Sequence, residues 1–354
     1  MKKALIAMSG GVDSSVAAKL MSERGFSCIG CTMKLFNNED AGVKPSKACC
    51  SLEDTEDARS VAYSIGMPYY VFNFTDSFKE EVIARFIRAY EEGRTPNPCI
   101  DCNRYEKFGK LYERARILGC DCIATGHYAR IESTDGQYFL KKGLDPAKDQ
   151  SYVLYFLTQE MLSRTFFPLG GMHKTEVRAL AEQYGFVNAE KPDSQDICFV
   201  PDGDYASVIE TNTGKTYPPG DFTDEEGNVL GRHKGIIHYT VGQRRGLGIS
   251  STEPWYVKRL DVPDNRVILS RNRDLFSKEV KVSDFNWISG HAPEGPVRCT
   301  AKIRYRHKEQ PATAFPEGED KVKILFDEPV RAVTAGQAAV IYDGDTVLGG
   351  GVIQ

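Results

Sequence analysis

Ser9–Gly10–Gly11–Val12–Asp13–Ser14 places small and hydroxyl residues between an apolar run and a helical pattern. Paired glycines let the backbone turn sharply and leave N–H groups uncovered by side chains. Those groups, with a helix N-terminus, make a site for phosphate. Ser9 and Ser14 add hydroxyl donors. Asp13 cannot hold phosphate by charge, so it is expected to cap the helix or to help hold a magnesium ion. The chain has no G-x-x-x-x-G-K-[ST], so no lysine reaches toward a terminal phosphate, and no G-x-G-x-x-G for a dinucleotide. A loop that grips the outer two phosphates as one unit suits chemistry that expels pyrophosphate and leaves an adenylate.

Sulfur is the second signal. The chain has ten cysteines, at 28, 31, 49, 50, 99, 102, 120, 122, 198 and 299. That is many for a compartment where thiols stay reduced. In Arg94–Thr95–Pro96–Asn97–Pro98–Cys99–Ile100–Asp101–Cys102–Asn103 two prolines force an extended loop, and Cys102 or Asn103 is expected to open the next helix. A thiol at a helix N-terminus has its thiolate stabilised by the macrodipole and is a good nucleophile. Cys198 stands alone beside a polar loop. Two such thiols in a nucleotide-activating domain suggest sulfur handling, with one carrying a persulfide and the other resolving it. The alternative is two unrelated thiols. Cys28 and Cys31, with Cys99 and Cys102, have the composition of a four-thiolate zinc site. However, the first pair lies in a strand-like run, where residues three apart face opposite ways, so no metal site is expected. Cys120 and Cys122 flank a strand start and read as core or edge thiols.

The elements that must position these groups follow from periodicity. Ala4–Leu5–Ile6–Ala7–Met8 reads as a buried parallel strand, and Val16, Ala17, Leu20 and Met21 as one face of a helix stopped by Gly25. Further strand-like runs are Ser27–Phe36, Pro68–Phe74 and Cys122–Ile131. Phe78, Val82, Ile83, Phe86, Ile87 and Tyr90 fit one helix face. Phe108, Leu111, Ala115 and Leu118 fit another, ended by Gly119, and Thr175–Tyr184 forms a further helix. This alternation predicts an α/β fold, a doubly wound parallel sheet with ligand beyond the carboxyl ends of its strands. Both the Ser9–Ser14 turn and Gly126–His127 lie at such ends. Pro201–Asp202–Gly203–Asp204 marks a boundary. Beyond it helices nearly vanish, and turn signals such as Glu226–Gly227–Asn228 and Asp343–Gly344–Asp345 separate short strands. The expected domains are 1–202, 203–275 and 276–354, the last two small and mainly β, with a β-barrel at the end.

With 354 residues the chain has ample core, and its net charge of −4 excludes a global basic field. Any RNA site is a local patch. Asn228 to Thr252 lacks acidic residues but has Arg232, Lys234, Arg244 and Arg245. Lys302, Arg304, Arg306 and Lys308 alternate, so a strand there would set four cations on one face, with Tyr305 and His307 opposite. The plain alternative is a solvated face. No membrane-spanning run or signal peptide is present, so a cytoplasmic location is expected.

The Ser9–Ser14 loop resembles the PP-loop of the ATP pyrophosphatase superfamily. The chain as a whole resembles the tRNA-specific 2-thiouridylase family. The match runs through Thr95–Pro96–Asn97–Pro98–Cys99, Cys102–Asn103, Lys107–Phe108, Ala124–Thr125–Gly126–His127–Tyr128–Ala129, Lys148–Asp149–Gln150–Ser151–Tyr152, Pro168–Leu169–Gly170 and Lys191–Pro192–Asp193–Ser194–Gln195–Asp196–Ile197–Cys198–Phe199. It continues through His238–Tyr239–Thr240–Val241–Gly242–Gln243–Arg244–Arg245–Gly246–Leu247–Gly248, Lys302–Ile303–Arg304–Tyr305 and Leu348–Gly349–Gly350–Gly351. It implies ATP, with magnesium, on Ala7, Met8, Ser9, Gly10, Gly11, Val12, Asp13 and Ser14, with Met33 and Gly126 around the adenosine. It implies that the C2 oxygen of the tRNA wobble uridine is adenylated and replaced by sulfur. Cys102 is the implied nucleophile and Cys198 the persulfide carrier, leaving a disulfide between them. The implied tRNA contacts are Asn97, Pro98, Cys99, His127, Lys148, Asp149, Gln150, Arg304, Tyr305 and Gln337. The implied partners are Lys, Glu and Gln tRNAs and a sulfur donor such as a cysteine desulfurase or persulfide relay protein. One departure stands out: many members have Asp where this chain has Cys99, and Asp101 is offset by two residues. His127 has a second reading, as a hydrogen-bonded histidine at a strand end. The competing functions are another PP-loop adenylating enzyme, such as an amide or nitrogen ligase, and a zinc-containing RNA-binding module.

Overall fold

The computed structural model describes residues 1–37, 52–193, 197–200 and 203–354. Cys49, Cys50, Ser194, Gln195, Asp196 and the expected boundary at Pro201–Asp202 lie outside the described residues. The strands are β1 (Lys3–Ala7), β2 (Ser27–Lys34), β3 (Tyr69–Asn73), β4 (Cys122–Ala124), the hairpin β5 (Ala129–Thr134) and β6 (Gln137–Lys142), and β7 (Thr165–Phe166). β3, β2, β1, β4 and β7 form a parallel sheet in that order. The helices α1 (Val12–Glu23) and α2 (Leu52–Ser64), with Lys174–Gln183, cover one face through Val16, Ala17, Met21, Val61 and Val177. The helical stretches 75–91 and 98–117 cover the other through Phe78, Val82, Phe86, Phe108 and Leu111. Cys28 packs into the first core and Cys31 into the second, as strand alternation requires.

The expected strand Cys122–Ile131 is broken. β4 stops at Ala124, and the chain re-emerges at Ala129 in a different sheet. Gly126 lies in this break, where an added Cβ would lie 2.9 Å from the Ser14 backbone nitrogen, so the chain passes directly against the loop and only glycine fits.

After the helix Tyr205–Thr213, which the turn-rich tail did not announce, come β8 (Gly220–Thr223), β9 (Val229–His233), β10 (Tyr256–Asp261) and β11 (Arg266–Ser270), a small sheet in the order β10-β11-β8-β9. Tyr205 stacks on Tyr90 with ring centroids 4.8 Å apart, tying this unit to the stretch 75–91. Finally β12 (Phe276–Trp287), β13 (Val297–Lys302), β14 (Gln310–Pro316), β15 (Val322–Arg331), β16 (Ala338–Asp343) and β17 (Thr346–Ile353) form an antiparallel barrel, closed where β12 pairs with β17. The hairpin β5–β6 extends the barrel wall by pairing Lys141 with Thr346. Among the described residues no helix is long and apolar enough to cross a membrane.

The four-cation strand is not formed. β13 ends at Lys302 and 303–307 is a bend and turn. Arg304 turns inward, where it donates to the Val241 carbonyl at 3.1 Å, the Ala332 carbonyl at 3.0 Å and Thr334 Oγ1. Burial and neighbouring Arg331 both press its pKa down. It joins the middle unit to the barrel.

Candidate nucleotide loop and cysteine pair

β1 delivers the loop to the carboxyl edge of the sheet, where Met8 N–H bonds the Cys31 carbonyl at 2.8 Å. Gly10 has φ +78°, and a Cβ there would lie 2.2 Å from the Asp54 carbonyl oxygen, so only glycine fits. Gly11 occupies the cap position of α1 and supplies no side-chain cap. The first-turn N–H groups of α1 therefore lack a capping side chain, which suits an anion. The Ser14 hydroxyl accepts from Ser9 N–H at 3.1 Å and donates to the Gly11 carbonyl at 3.0 Å, shaping the loop. Asn188 fixes it from behind, donating to the Gly10 carbonyl at 2.8 Å and Ser15 Oγ at 2.9 Å.

Asp13 does not cap α1. Its Oδ1 accepts from Lys174 Nζ and from the Tyr128 hydroxyl, each at 2.7 Å. Lys174 is only 8 % exposed and also meets Asp193 at 2.7 Å. Lys148 and Arg178 converge on the same Asp193 carboxylate. Burial pushes that carboxyl up, but hydrogen bonds from Lys148 and Lys174 overcome it and hold it at about 2. Lys174, Asn188 and Arg178 escaped the sequence reading. They come from a distant helix and its exit, with no local motif, and only Lys174's place at a helix start hinted at an anion site. Met33 is buried at the end of β2.

The cysteine loop is built differently from expectation. Asn97 caps a helix that begins at Pro98, its side-chain oxygen accepting from Cys99 N–H at 3.2 Å. Cys102 therefore lies one turn inside the helix, where 98–101 passes into a π-helical stretch, Cys102–Lys110. Burial pushes its thiol up to about 12, and the charge of Lys107 opposes this only in part. The helix end does not activate it in this state. Asp101 beside it is also raised by burial, to about 7, against the guanidiniums of Arg85 and Arg104. Cys99 is exposed. Cys198 is half-buried in a turn closed by Val200 N–H to the Ile197 carbonyl at 2.9 Å. Its surroundings are not merely polar: Phe199 wedges edge-on between Phe78 and Phe86. Cys102 and Cys198 both border the same apolar core.

The remaining expected contacts sit mostly in structural roles. His127 is 6 % exposed, bonded to Thr125 Oγ1 at 2.7 Å and set against Phe108 and Phe167. Burial holds it neutral. This is the geometry of a hydrogen-bonded histidine at a strand end. Asp149 accepts from Gly143 and Ser151 N–H, and Gln150 from Tyr128 N–H at 3.0 Å. Tyr305 donates to the Asp149 carbonyl at 3.2 Å. Gln337 donates to the carbonyls of Thr95 and Pro96 at 2.8 and 3.3 Å, so the barrel clamps the loop leading to Cys99.

These features define an α/β domain with a phosphate-ready first loop and two free thiols, Cys102 and Cys198, bordering its core, followed by a β tail. Family models match accordingly: a tRNA methyl transferase HUP domain over 2–202, a tRNA methyl transferase PRC-barrel domain over 207–271 and an aminomethyltransferase beta-barrel domain over 277–353. A protein of Clostridioides difficile named tRNA-specific 2-thiouridylase MnmA is 51 % identical over 355 residues, covering 100 % of this chain and 98 % of that protein. Proteins of the same name from Acetivibrio thermocellus and Clostridium acetobutylicum are 51 % and 46 % identical, each covering 100 % of this chain and 99 % of the relative. The chain belongs to the tRNA-specific 2-thiouridylase family.

Proposed function

We propose that this protein uses ATP to replace the C2 oxygen of a tRNA wobble uridine with sulfur, releasing AMP and pyrophosphate. The observation that carries the reading is the uncapped, glycine-turned start of α1 at the sheet's carboxyl edge, in a domain whose core is bordered by Cys102 and Cys198. An oxygen on a uracil carbon is a poor leaving group. Its attack on the α-phosphate of ATP makes it a good one, and the N–H groups of the loop stabilise charge on the departing pyrophosphate. Magnesium arriving with ATP would supply further charge neutralisation. Its nearest carboxylate in the loop, Asp13, is already held by Lys174, so the ion would have to share or displace that ammonium.

Cys198 would carry the persulfide, supplied by a cysteine desulfurase or relay protein. Either Cys102 attacks it and frees hydrogen sulfide, or the persulfide attacks C2 and Cys102 resolves the adduct. Both routes leave AMP and a Cys102–Cys198 disulfide that external thiols must reduce. The family resemblance suggests Lys, Glu and Gln tRNAs, a cytoplasmic setting and the division at about 202 and 275. The test is incubation with tRNA, ATP, magnesium and a persulfide source. Nucleoside mass spectrometry should find 2-thiouridine, and chromatography AMP with pyrophosphate. ADP with free phosphate as the main products would contradict it, as would a fully active Cys102→Ser or Cys198→Ser variant.

A further inference from the structure

Between the stretch 75–91, the loop before Cys99 and the barrel lies a cavity of about 190 Å³ lined by Arg85, Arg88, Arg94, Arg104, Asn97 and Asp101, among others. It sits apart from the Ser9–Ser14 loop. Resting on the tRNA reading above, we propose that this cavity binds a backbone phosphate of the substrate RNA beside the nucleotide being modified.

Four guanidiniums line one small space, and they are not equally committed. Arg104 grips Asp284 of the barrel with both terminal nitrogens. Arg85 meets Glu81 at 2.9 Å and Arg94 meets Glu92, but both pairs are largely solvated, and such pairs are worth about 0–1 kcal/mol. They can be exchanged for a phosphate at little cost. Arg88 is exposed and, among the described residues, has no carboxylate partner. The Tyr105 ring holds the Arg85 guanidinium 4.5 Å from its centroid and that of Arg104 at 5.8 Å, which orients both forks before any ligand arrives. Planar forks of this kind match phosphate oxygens in pairs.

The placement fits a nucleotide presented to Cys102. Asn97, which lines the cavity, also caps the helix bearing Cys99 and Cys102. A base drawn toward that helix keeps its own backbone close, so an adjacent phosphate falls within reach of these guanidiniums. The wall opposite belongs to the barrel through Gly336 and Asp284. A phosphate here would thus be read by two domains at once.

The experiment compares Arg88→Ala, Arg88→Lys and Arg88→Ala/Arg94→Ala with wild type, with Arg116→Ala, at the far end of the cysteine helix, as control. Binding of tRNA is measured from low to high salt, with KM and kcat for thiolation. Arg88→Ala should weaken tRNA binding several-fold and lower the salt slope by about 1, the double variant by about 2. KM for tRNA should rise, kcat at saturating tRNA and KM for ATP should hold, and Arg88→Lys should restore most of the slope. Unchanged affinity and slope in both alanine variants overturn the proposal. Loss of kcat with unchanged slope also overturns it, because the arginine would then act structurally. If wild type binds tRNA but makes no 2-thiouridine, the sulfur chemistry fails alone, and the slopes still decide the cavity.

Discussion

Alkylation of Cys102 gives a direct reading of this half-buried thiol. With its pKa pushed up to about 12, it holds roughly three thousandfold less thiolate at pH 7.5 than an ordinary cysteine of pKa about 8.5. A more basic thiolate is intrinsically more nucleophilic. With a Brønsted slope of about 0.4–0.5, that returns roughly 25- to 60-fold. The net expectation is a reaction with iodoacetamide about a hundredfold slower than an ordinary thiol. The rate should climb about tenfold per pH unit to beyond pH 10, where an ordinary thiol levels off near 8.5. Peptide mass spectrometry in a Cys99→Ser background measures it without interference from the exposed neighbour. Adding tRNA with a non-hydrolysable ATP analogue should raise the rate, because the proposed role of Cys102 needs the thiolate that its surroundings suppress. A rate within threefold of ordinary, or a plateau below pH 9, would refute the reasoning.

Arg304→Ala removes a charged donor from three oxygens. Such bonds are worth about 1.5–3 kcal/mol each before the opposing cost of burying the charge, so a net loss of about 2–4 kcal/mol is expected in urea unfolding. The salt slope of tRNA binding should stay as in wild type; a flatter slope at full stability would return Arg304 to the RNA backbone. Gly10→Ala drives a methyl into the Asp54 carbonyl and should weaken ATP binding at least tenfold by equilibrium titration, while Gly25→Ala, at φ +80° in open space, should leave it alone. Asp101 is raised to about 7 in the folded chain against about 3.9 unfolded. The folded state therefore keeps a proton that the unfolded state releases between these values, and stability falls as pH rises through that window. Asp101→Asn should gain on wild type by about 1–2 kcal/mol between pH 4 and 7, after allowance for screening; a pH-independent difference in denaturation would contradict this.

The nucleotide loop was legible because its parts are adjacent: β1, Gly10 and α1 follow one another, and the glycine conformation is written in residue type. Core faces were equally plain, as Phe78, Val82, Phe86 and Tyr90 show. What pattern could not supply was long-range placement. Lys174, Asn188 and Gln337 reach their sites from far along the chain, and Arg304 read as one of four cations on an RNA-facing strand because charge says nothing of burial. Asn97's cap moved the helix start to Pro98, and with it Cys102 from the helix end to its interior. The hairpin β5–β6 did have a signal: Asp135 and Gly136 both take positive φ in a two-residue turn, as an Asp-Gly pair between alternating runs foretells. Its docking on the barrel had none.

That docking sets an order of assembly. β6 meets β17 only through residues near the end of the chain, and Arg130, Lys141 and Lys142 find Asp345 and Glu309 there. At about 5–20 residues per second, a ribosome needs roughly 10–40 s to pass from Lys142 to Thr346. During that interval the nascent first domain shows a bare strand edge, and its three cations act as a guard against pairing with other chains. The Thr95 and Pro96 carbonyls likewise wait for Gln337. A chain that has not yet folded its barrel thus has its phosphate loop but not the clamp on its cysteine loop.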